Sequence, residues 1–211
     1  VDRGLARHGL PADQASVLCA GIREVLATSL GGPLGDFKLS ALARGDRVDE
    51  MEFTLPVANA GTGPLTPEAL ADAFAAHGAD LWRPDYVERL RGLGFWPLRG
   101  HLRGFIDLTF RCDGRFYLVD YKSNHLGIAG ADYGPDALRS SMEAHDYVLQ
   151  FHIYTLALHR HLKRRLPDYD FDTHMGGAYY LFVRGMSPDA PGGRGIFYER
   201  PSRALIEALS E

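Results

Sequence analysis

Two runs of alternating apolar and polar residues dominate the middle of the chain, and the pair Asp113-Gly114 separates them. The whole segment, from Gly104 to Asn124, reads GFIDLTFRCDGRFYLVDYKSN. Asp-Gly between two alternating runs is the strongest short-range signal for a β-hairpin with a two-residue turn. The pattern therefore predicts a hairpin interrupted by three polar residues: Asp107, Asp120 and Lys122.

The predicted turn also fixes the register of the hairpin. Counting outward from the turn places Asp107 directly opposite Asp120. By the same count, Phe105 faces Lys122. Because residues two apart on a strand share a face, both aspartates and the lysine are expected on the same side of the sheet.

Two directly opposed carboxylates need a partner that offsets their repulsion. Opposed residues of an antiparallel pair have Cβ atoms about 4.5–5.5 Å apart, and like charges there are destabilising. A bound Mg²⁺ would offset this repulsion, since it takes one or two carboxylates together with waters and substrate phosphates. The alternative is a plain surface charge cluster. Apolar neighbours such as Ile106 and Val119 favour a sheet with a buried face and count against that alternative.

A second strand is predicted upstream, because residues alternate strictly from Asp49 to Leu55. Its apolar face is Met51, Phe53 and Leu55, and its polar face is Glu50, Glu52 and Thr54. A third carboxylate would join the polar face of the hairpin if this strand pairs beside it. A solvated outer face explains the same alternation equally well.

Helical patterns account for most of the remaining chain. Apolar spacing predicts a packing helix over about 12–30. Residues 57–99 shift to Ala, Gly and Pro and are interpreted as an insertion with two short helices, one capped by Thr66 and one beginning at Pro84. Strands are predicted at 178–183 and 195–199, followed by a terminal helix from Ser202. This order predicts an α/β fold with a mixed sheet flanked by helices.

A long helix is predicted from Pro135 to about Leu166. Its apolar stripe is Leu138, Met142, Leu149, Ile153 and Leu156. Gln150 and Tyr154 are four residues apart and share a helical face, where they would contact a phosphate or orient a carboxylate. Ordinary half-buried helix residues fit the same spacing. The helix ends in the basic run 160–165, which either complements the helix dipole or contacts phosphates.

Composition bounds the class of protein. The chain has 211 residues, 45% hydrophobic content and a formal net charge of −4, which fits one globular domain and argues against a generally basic nucleic-acid-coating surface. Cys19 and Cys112 are too few for a Cys₄ metal site, and they fit reduced thiols of a cytoplasmic protein. The polar start at Val1 carries no signal peptide, and the chain is expected to be a fragment of a longer protein.

Asp107 followed by Asp120-Tyr121-Lys122 resembles the PD-(D/E)xK nuclease signature. The wider pattern, Gly104-Phe105-Ile106-Asp107, Asp120 to Asn124, and Gln150-x-x-x-Tyr154, is similar to the RecB-type branch of that superfamily. The resemblance implies a restriction-endonuclease-like fold and covers nearly the whole chain as a single domain, most weakly in the insertion at about 57–99.

The resemblance also implies roles for individual residues. Asp107 and Asp120 would bind the catalytic Mg²⁺, for which Mn²⁺ or Ca²⁺ would substitute in binding, and the carbonyl of Tyr121 would be a further ligand. Lys122 would position or activate the attacking water and stabilise the transition state. Supporting or DNA-contacting roles would fall to Gln150, Tyr154 and, on the first strand, Glu52.

One part of the family pattern has no match. RecB-type nucleases carry a metal-binding His in a G-x-x-x-H setting before the first strand, whereas His8 lacks those flanking residues. This fragment is therefore expected to bind Mg²⁺ weakly and to cleave DNA poorly.

The implied activity is that of exodeoxyribonuclease V in DNA repair and recombination. Its implied partners are DNA single strands from an attached helicase, the RecC and RecD subunits, and RecA. The alternative is a non-catalytic docking module for RecA or RecC, against which the intact Asp107, Asp120 and Lys122 argue.

Overall fold

The computed structural model describes residues 1–7, 9, 11–56, 65–78, 84–95, 100–190 and 193–210. Its helices are α1 (Asp2–Arg7), α2 (Ala15–Ala27), α3 (Pro67–His77), α4 (Pro84–Arg91), α5 (Pro135–Ala144), α6 (Tyr147–Arg165), α7 (Phe171–His174) and α8 (Arg203–Ala208). Its strands are β1 (Arg47–Pro56), β2 (His101–Cys112), β3 (Arg115–Lys122), β4 (Met175–Phe182) and β5 (Ile196–Glu199). Within these described ranges, no helix is both long enough and apolar enough to cross a membrane.

The strands form one five-stranded sheet in the order β1-β2-β3-β4-β5. β1 and β3 both run antiparallel to β2. At the other end, the Val183 N–H donates to the Lys122 carbonyl over 3.0 Å, which joins the carboxyl ends of β3 and β4 as in a parallel pair. The sheet is therefore mixed and carries helices between its strands, as the sequence predicted.

The central hairpin has the predicted turn. Asp113 and Gly114 have φ values of 49° and 78°, the left-handed conformation that the two-residue turn favoured in hairpins requires. Cys112 pairs with Arg115, and the same register continues to the pair of Leu108 with Val119. The turn and the register worked out from it are confirmed over these pairs.

Contacts within the described chain divide it into two compact units. The smaller unit comprises 1–45, 121–139 and 180–197, and the larger comprises 46–120, 140–179 and 198–211. In the smaller unit, Ser29 and Lys38 form a β-bridge, and a side chain at Gly185 would overlap the Tyr133 ring. In the larger unit, helix α3 contacts both α4 and α8, and α6 contacts both α8 and β1. The single domain expected from the sequence stays a prediction.

Helix α2 lies inside the predicted range but does not pack as predicted. None of its residues is buried, and Val17 and Ile22 are 73% and 48% exposed. Apolar periodicity identifies a helix with one apolar face, but it does not identify what covers that face. The prediction of a packing helix was therefore right about the helix and wrong about its burial.

The predicted helix from Pro135 to Leu166 is two helices, α5 and α6. The helix is interrupted at Asp146, which adopts a left-handed conformation with φ 56°. Its carboxylate accepts a hydrogen bond from the Arg89 Nε over 2.9 Å, which holds the break in place. The break changes which side chains are buried, so Val148 and Phe151 are fully buried whereas Leu149 and Ile153 are only half-buried.

The shorter predicted helices are confirmed, as is the cap predicted at Thr66. Thr66 Oγ1 accepts from the Ala69 N–H over 3.2 Å at the start of α3. Ser202 Oγ accepts from the Leu205 N–H over 3.1 Å at the start of α8. Both are side-chain caps of the kind that stabilise a helix N-terminus by about 1 kcal/mol. The parts of the expected insertion at 57–64, 79–83 and 96–99 lie outside the described residues.

Candidate active site

The candidate site is built on the two adjacent strands β2 and β3. Continuing the observed register by one step from the pair of Leu108 with Val119 places Asp107 opposite Asp120. Asp120 is only 5% exposed, and Asp107 is half-buried. A carboxylate in so dry a position must be offset by a cation or by hydrogen bonds. Two such carboxylates on one face form a compact set of oxygen donors.

Helix α6 presents Tyr154 toward these carboxylates. Burial raises the pKa of the Tyr154 phenol, and the Asp120 carboxylate raises it further, followed by a smaller effect of Asp107. Only charges close to the phenol produce such an effect, because the interaction falls with distance. The ring packs edge-on against Phe53, with centroids 5.6 Å apart. Tyr154 therefore lies within electrostatic range of both aspartates, and its supporting role in the site stays a prediction.

Gln150 lies one helical turn before Tyr154 and contacts it directly. The Gln150 Nε2 donates a hydrogen bond to the Tyr154 Oη over 2.9 Å. This bond lowers the pKa of Tyr154 and partly opposes the effect of burial. Because the amide supplies the proton in that bond, the phenol can still donate its own hydrogen to another acceptor. The two predicted helix residues are thus joined as one unit.

Lys122 is the last residue of β3, two positions after Asp120, and the two-residue period of a strand gives both the same face. It is 8% exposed, and its Nζ lies 5.0 Å from the centroid of the Tyr180 ring. An ammonium over an aromatic face is held by attraction to the ring. Tyr121, between Asp120 and Lys122, has a side chain that is 39% exposed.

Strand β1 contributes a carboxylate, but the position nearest Asp107 in register is not Glu52. Glu52 pairs with Phe105 across the ladder and forms a 2.6 Å ion pair with Arg103. The flanking pairs of the β1–β2 ladder place Glu50 opposite Asp107 instead. Glu50 has a left-handed φ of 52°, a costly conformation for a residue with a side chain. The sequence showed Glu50 only as one member of the polar face, and the pairing with β2 distinguishes it.

The oxygen donors of this arrangement fit a divalent cation that keeps several waters. Within the described part of the chain, no three His, Cys, Asp or Glu side chains are close enough together to hold one ion. Two aspartates match the small set of carboxylates that a divalent cation with several bound waters takes from a protein. His8, which lacks the flanking residues of the family's metal-binding histidine, lies outside the described residues.

The fold and this pair of carboxylates define a class of protein. The chain belongs to the PD-(D/E)XK nuclease superfamily, since the model of this family matches residues 44–209. Nucleases of this superfamily generally use divalent metal ions.

Within this superfamily, the chain is similar to curated RecB subunits. The chain is 40% identical over 192 residues to the RecBCD enzyme subunit RecB of Escherichia coli (strain K12), which covers 90% of this chain and 15% of that protein. It is 42% identical over 198 residues to the RecBCD enzyme subunit RecB of Mycobacterium tuberculosis (strain ATCC 25618 / H37Rv), which covers 87% of this chain and 18% of that protein. The subunit of Haemophilus influenzae (strain ATCC 51907 / DSM 11121 / KW20 / Rd) is 39% identical over 188 residues, with 89% and 14% covered. The chain thus spans less than a fifth of the length of these three relatives.

Proposed function

We propose that this protein is the nuclease domain of a RecB-type exodeoxyribonuclease V subunit and hydrolyses phosphodiester bonds of DNA with Mg²⁺. The observation that carries the proposal is the grouping of Asp107, Asp120 and Tyr154 in one compact unit. The family match and the RecB relatives support the same reaction. Lys122, two residues after Asp120 on the same strand, completes the set.

The two carboxylates and the Tyr121 carbonyl would hold the metal ion. When bound, the ion supplies charge neutralisation at the phosphate and lowers the pKa of a coordinated water. Asp107 and Asp120 bring the negative charge that binds it, and their position on two paired strands fixes their separation. A β-sheet scaffold is suited to this task because its main-chain ladder limits relative movement of the two side chains.

Lys122 and Tyr154 would act on the phosphate and on the attacking water. The Lys122 ammonium donates hydrogen bonds to the water or to a nonbridging phosphate oxygen, where negative charge develops as the new P–O bond forms. The Tyr154 phenol, held by Gln150, donates a hydrogen bond to a carboxylate or to a phosphate oxygen. The attacking water gives up a proton to solvent as the new P–O bond forms. As the bond to the leaving sugar oxygen breaks, that oxygen takes up a proton from solvent.

The substrate and partners proposed for the whole protein follow from the RecB relatives. These are DNA single strands delivered by an attached helicase, RecC-like and RecD-like subunits, and RecA, in the bacterial cytoplasm. The relatives are subunits named for the RecBCD enzyme, which supports a complex of several subunits. A non-catalytic docking module is the less favoured function, because protein docking does not require two opposed carboxylates on neighbouring strands.

The test compares isosteric variants in a Mg²⁺-dependent cleavage assay on labelled single-stranded DNA. Asp120→Asn and Asp107→Asn should each lower the cleavage rate at least a hundredfold and weaken Mn²⁺ binding measured by calorimetry. Asp113→Asn is the matched control, since it makes the same chemical change at the turn, where Asn tolerates the left-handed conformation. Cleavage by Asp120→Asn at the rate of the parent chain would refute the proposal.

A further inference from the structure

A cleft of ≈ 260 Å³ lies between strand β1 and the C-terminal half of helix α6, in the larger unit. Residues 51–56 form one wall, and α6 forms the other with Ala157, Arg160, His161, Arg164 and Arg165. The helix wall is therefore almost entirely basic. These residues belong to the basic run whose role the sequence left open.

No carboxylate among the described residues neutralises the positive charge of this cleft. Among the described residues, none of the four basic side chains of the cleft forms an ion pair with a carboxylate. Arg160 instead donates to neutral atoms of Ser210, over 3.0 Å to Oγ and 2.6 Å to the carbonyl. Glu52, the acidic residue of the opposite wall, is already paired with Arg103 at 2.6 Å. A concave surface with unopposed cations concentrates positive potential and attracts anions.

The cations of the cleft also repel one another. Burial lowers the pKa of the Arg160 guanidinium, and the charge of Arg164 lowers it further. Burial likewise lowers the pKa of His161, followed by the charges of Arg165 and Arg164. No carboxylate contributes to either shift, which agrees with the missing ion pairs. An anion bound in the cleft would relieve this repulsion.

The cleft is continuous with the candidate active site along one face of α6. Tyr154, Ala157, His161 and Arg164 follow one another at intervals of three or four residues, so they form one stripe on the helix. Phe53 packs against Tyr154 and also lines the cleft. At about 1.5 Å per residue, Arg164 lies roughly 15 Å along the helix axis from Tyr154. A nucleic-acid strand covers that distance with a few nucleotides.

We infer that the β1–α6 cleft binds a backbone phosphate of single-stranded DNA a few nucleotides from the scissile bond. This inference rests on the proposed nuclease function and adds to it the path of the substrate across the domain. Guanidinium groups suit the task because they donate two parallel hydrogen bonds to phosphate oxygens. Continuity with the site that takes a phosphodiester favours a phosphate over the carboxylates of an acidic peptide.

The test measures binding without cleavage, by fluorescence anisotropy of a labelled single-stranded oligonucleotide in EDTA. Arg164→Glu should weaken binding at least tenfold and lower the slope of log K against log salt by about 0.7 for the lost phosphate contact. Lys163→Glu is the matched control, because it makes the same charge change on the neighbouring residue, which does not line the cleft. The control should weaken binding less than threefold. Equal effects of the two variants would overturn the inference.

Two further arms separate the inference from the proposed function and from protein docking. Asp120→Asn should still bind the oligonucleotide in EDTA, so a failure of the cleavage test leaves the binding test readable. Conversely, if cleavage depends on Asp120 but Arg164→Glu and Lys163→Glu weaken binding equally, the nuclease function stands. In that case only the inference about the β1–α6 cleft is overturned. A poly-glutamate peptide should compete at least tenfold more weakly than unlabelled oligonucleotide. Equal competition would assign the cleft to an acidic protein segment and would overturn the inference.

Discussion

The amide of Gln150 donates a 2.9 Å hydrogen bond to the phenol oxygen of Tyr154, whose pKa the carboxylates of Asp120 and Asp107 raise. This bond fixes the orientation of the phenol, because the ring is already confined by its edge-on contact with Phe53. Because the phenol oxygen accepts this bond, the phenol hydrogen is available to another acceptor, within electrostatic range of two negatively charged groups. Its loss should therefore affect chemistry more than stability.

We predict that Tyr154→Phe lowers the cleavage rate about fivefold to tenfold while the melting temperature changes little. The expected loss corresponds to one hydrogen bond of about 1 kcal/mol in the reacting complex. Phe retains the ring that packs against Phe53, so the fold should be preserved. Single-turnover cleavage and thermal unfolding of the same preparation provide the two measurements. A variant that is equally active, or one that melts well below the parent chain, contradicts the assigned role.

Lys122 should be needed for chemistry but not for metal binding. Lys122→Met removes the ammonium and keeps a long apolar side chain for the position above the Tyr180 ring. We expect cleavage to fall about a hundredfold or more, as for other groups that stabilise developing charge. Binding of Mn²⁺, measured by calorimetry, should change less than threefold. Loss of Mn²⁺ binding in this variant would instead assign Lys122 a structural role in the site.

Sequence alone predicted the central hairpin because its signals are local. Asp113-Gly114 determines the turn, the turn determines the register, and the predicted register is observed as far as the pair of Leu108 with Val119, one step from Asp107 and Asp120. The helix spacing of Gln150 and Tyr154 was equally local. Each of these predictions needed only a fixed period and a short count along the chain.

The features that sequence missed depend on contacts between distant segments. The break at Asp146 is held by Arg89, which is 57 residues away. The position of Glu50 opposite Asp107 follows from pairing between β1 and β2, across the segment interpreted as an insertion. The exposure of α2 depends on what packs on its apolar face, which periodicity does not report. No local pattern contains this information.

The third prediction concerns Gly104, which packs so closely against Phe53 that a side chain would not fit. A Cβ at this position would come within 2.7–2.8 Å of the Phe53 ring, the residue opposite in the β1–β2 ladder. Gly104→Ala should therefore destabilise the protein by about 1–3 kcal/mol through overpacking. Because Phe53 also contacts Tyr154, cleavage should fall as well. Urea unfolding measures the stability change.

A double-mutant cycle tests the cause assigned to that loss. Phe53→Leu removes the clashing ring, so adding Gly104→Ala in that background should cost less than about 0.5 kcal/mol. If the alanine costs the same free energy in both backgrounds, the close approach of Phe53 is not the reason that glycine is needed at position 104.

His152 should make the stability of the protein depend on pH. It is fully buried on α6 against Phe74 and Phe151, and its Nδ1 contacts the Val148 carbonyl over 2.7 Å. Among the described residues, its Nε2 has no hydrogen-bond partner. Burial lowers the pKa of His152 from 6.5 to about 4, and the hydrogen bond to Val148 opposes only part of this effect. The folded protein therefore holds this histidine neutral.

The sign of the effect follows from proton binding. Between pH 6.5 and 4 the unfolded chain binds a proton on His152 that the folded chain does not, so unfolding becomes more favourable as the pH falls. The stabilisation is present above pH 6.5 and is lost through that window. From pH 7 to pH 5 the loss should be roughly 2 kcal/mol in the free energy of unfolding. His152→Leu keeps an apolar side chain in the site and should remove most of this dependence. His159 and His161, whose pKa values burial also lowers, retain smaller contributions. Urea midpoints of both proteins at pH 7 and pH 5 provide the comparison, and an equal loss in the two proteins would exclude His152 as its source.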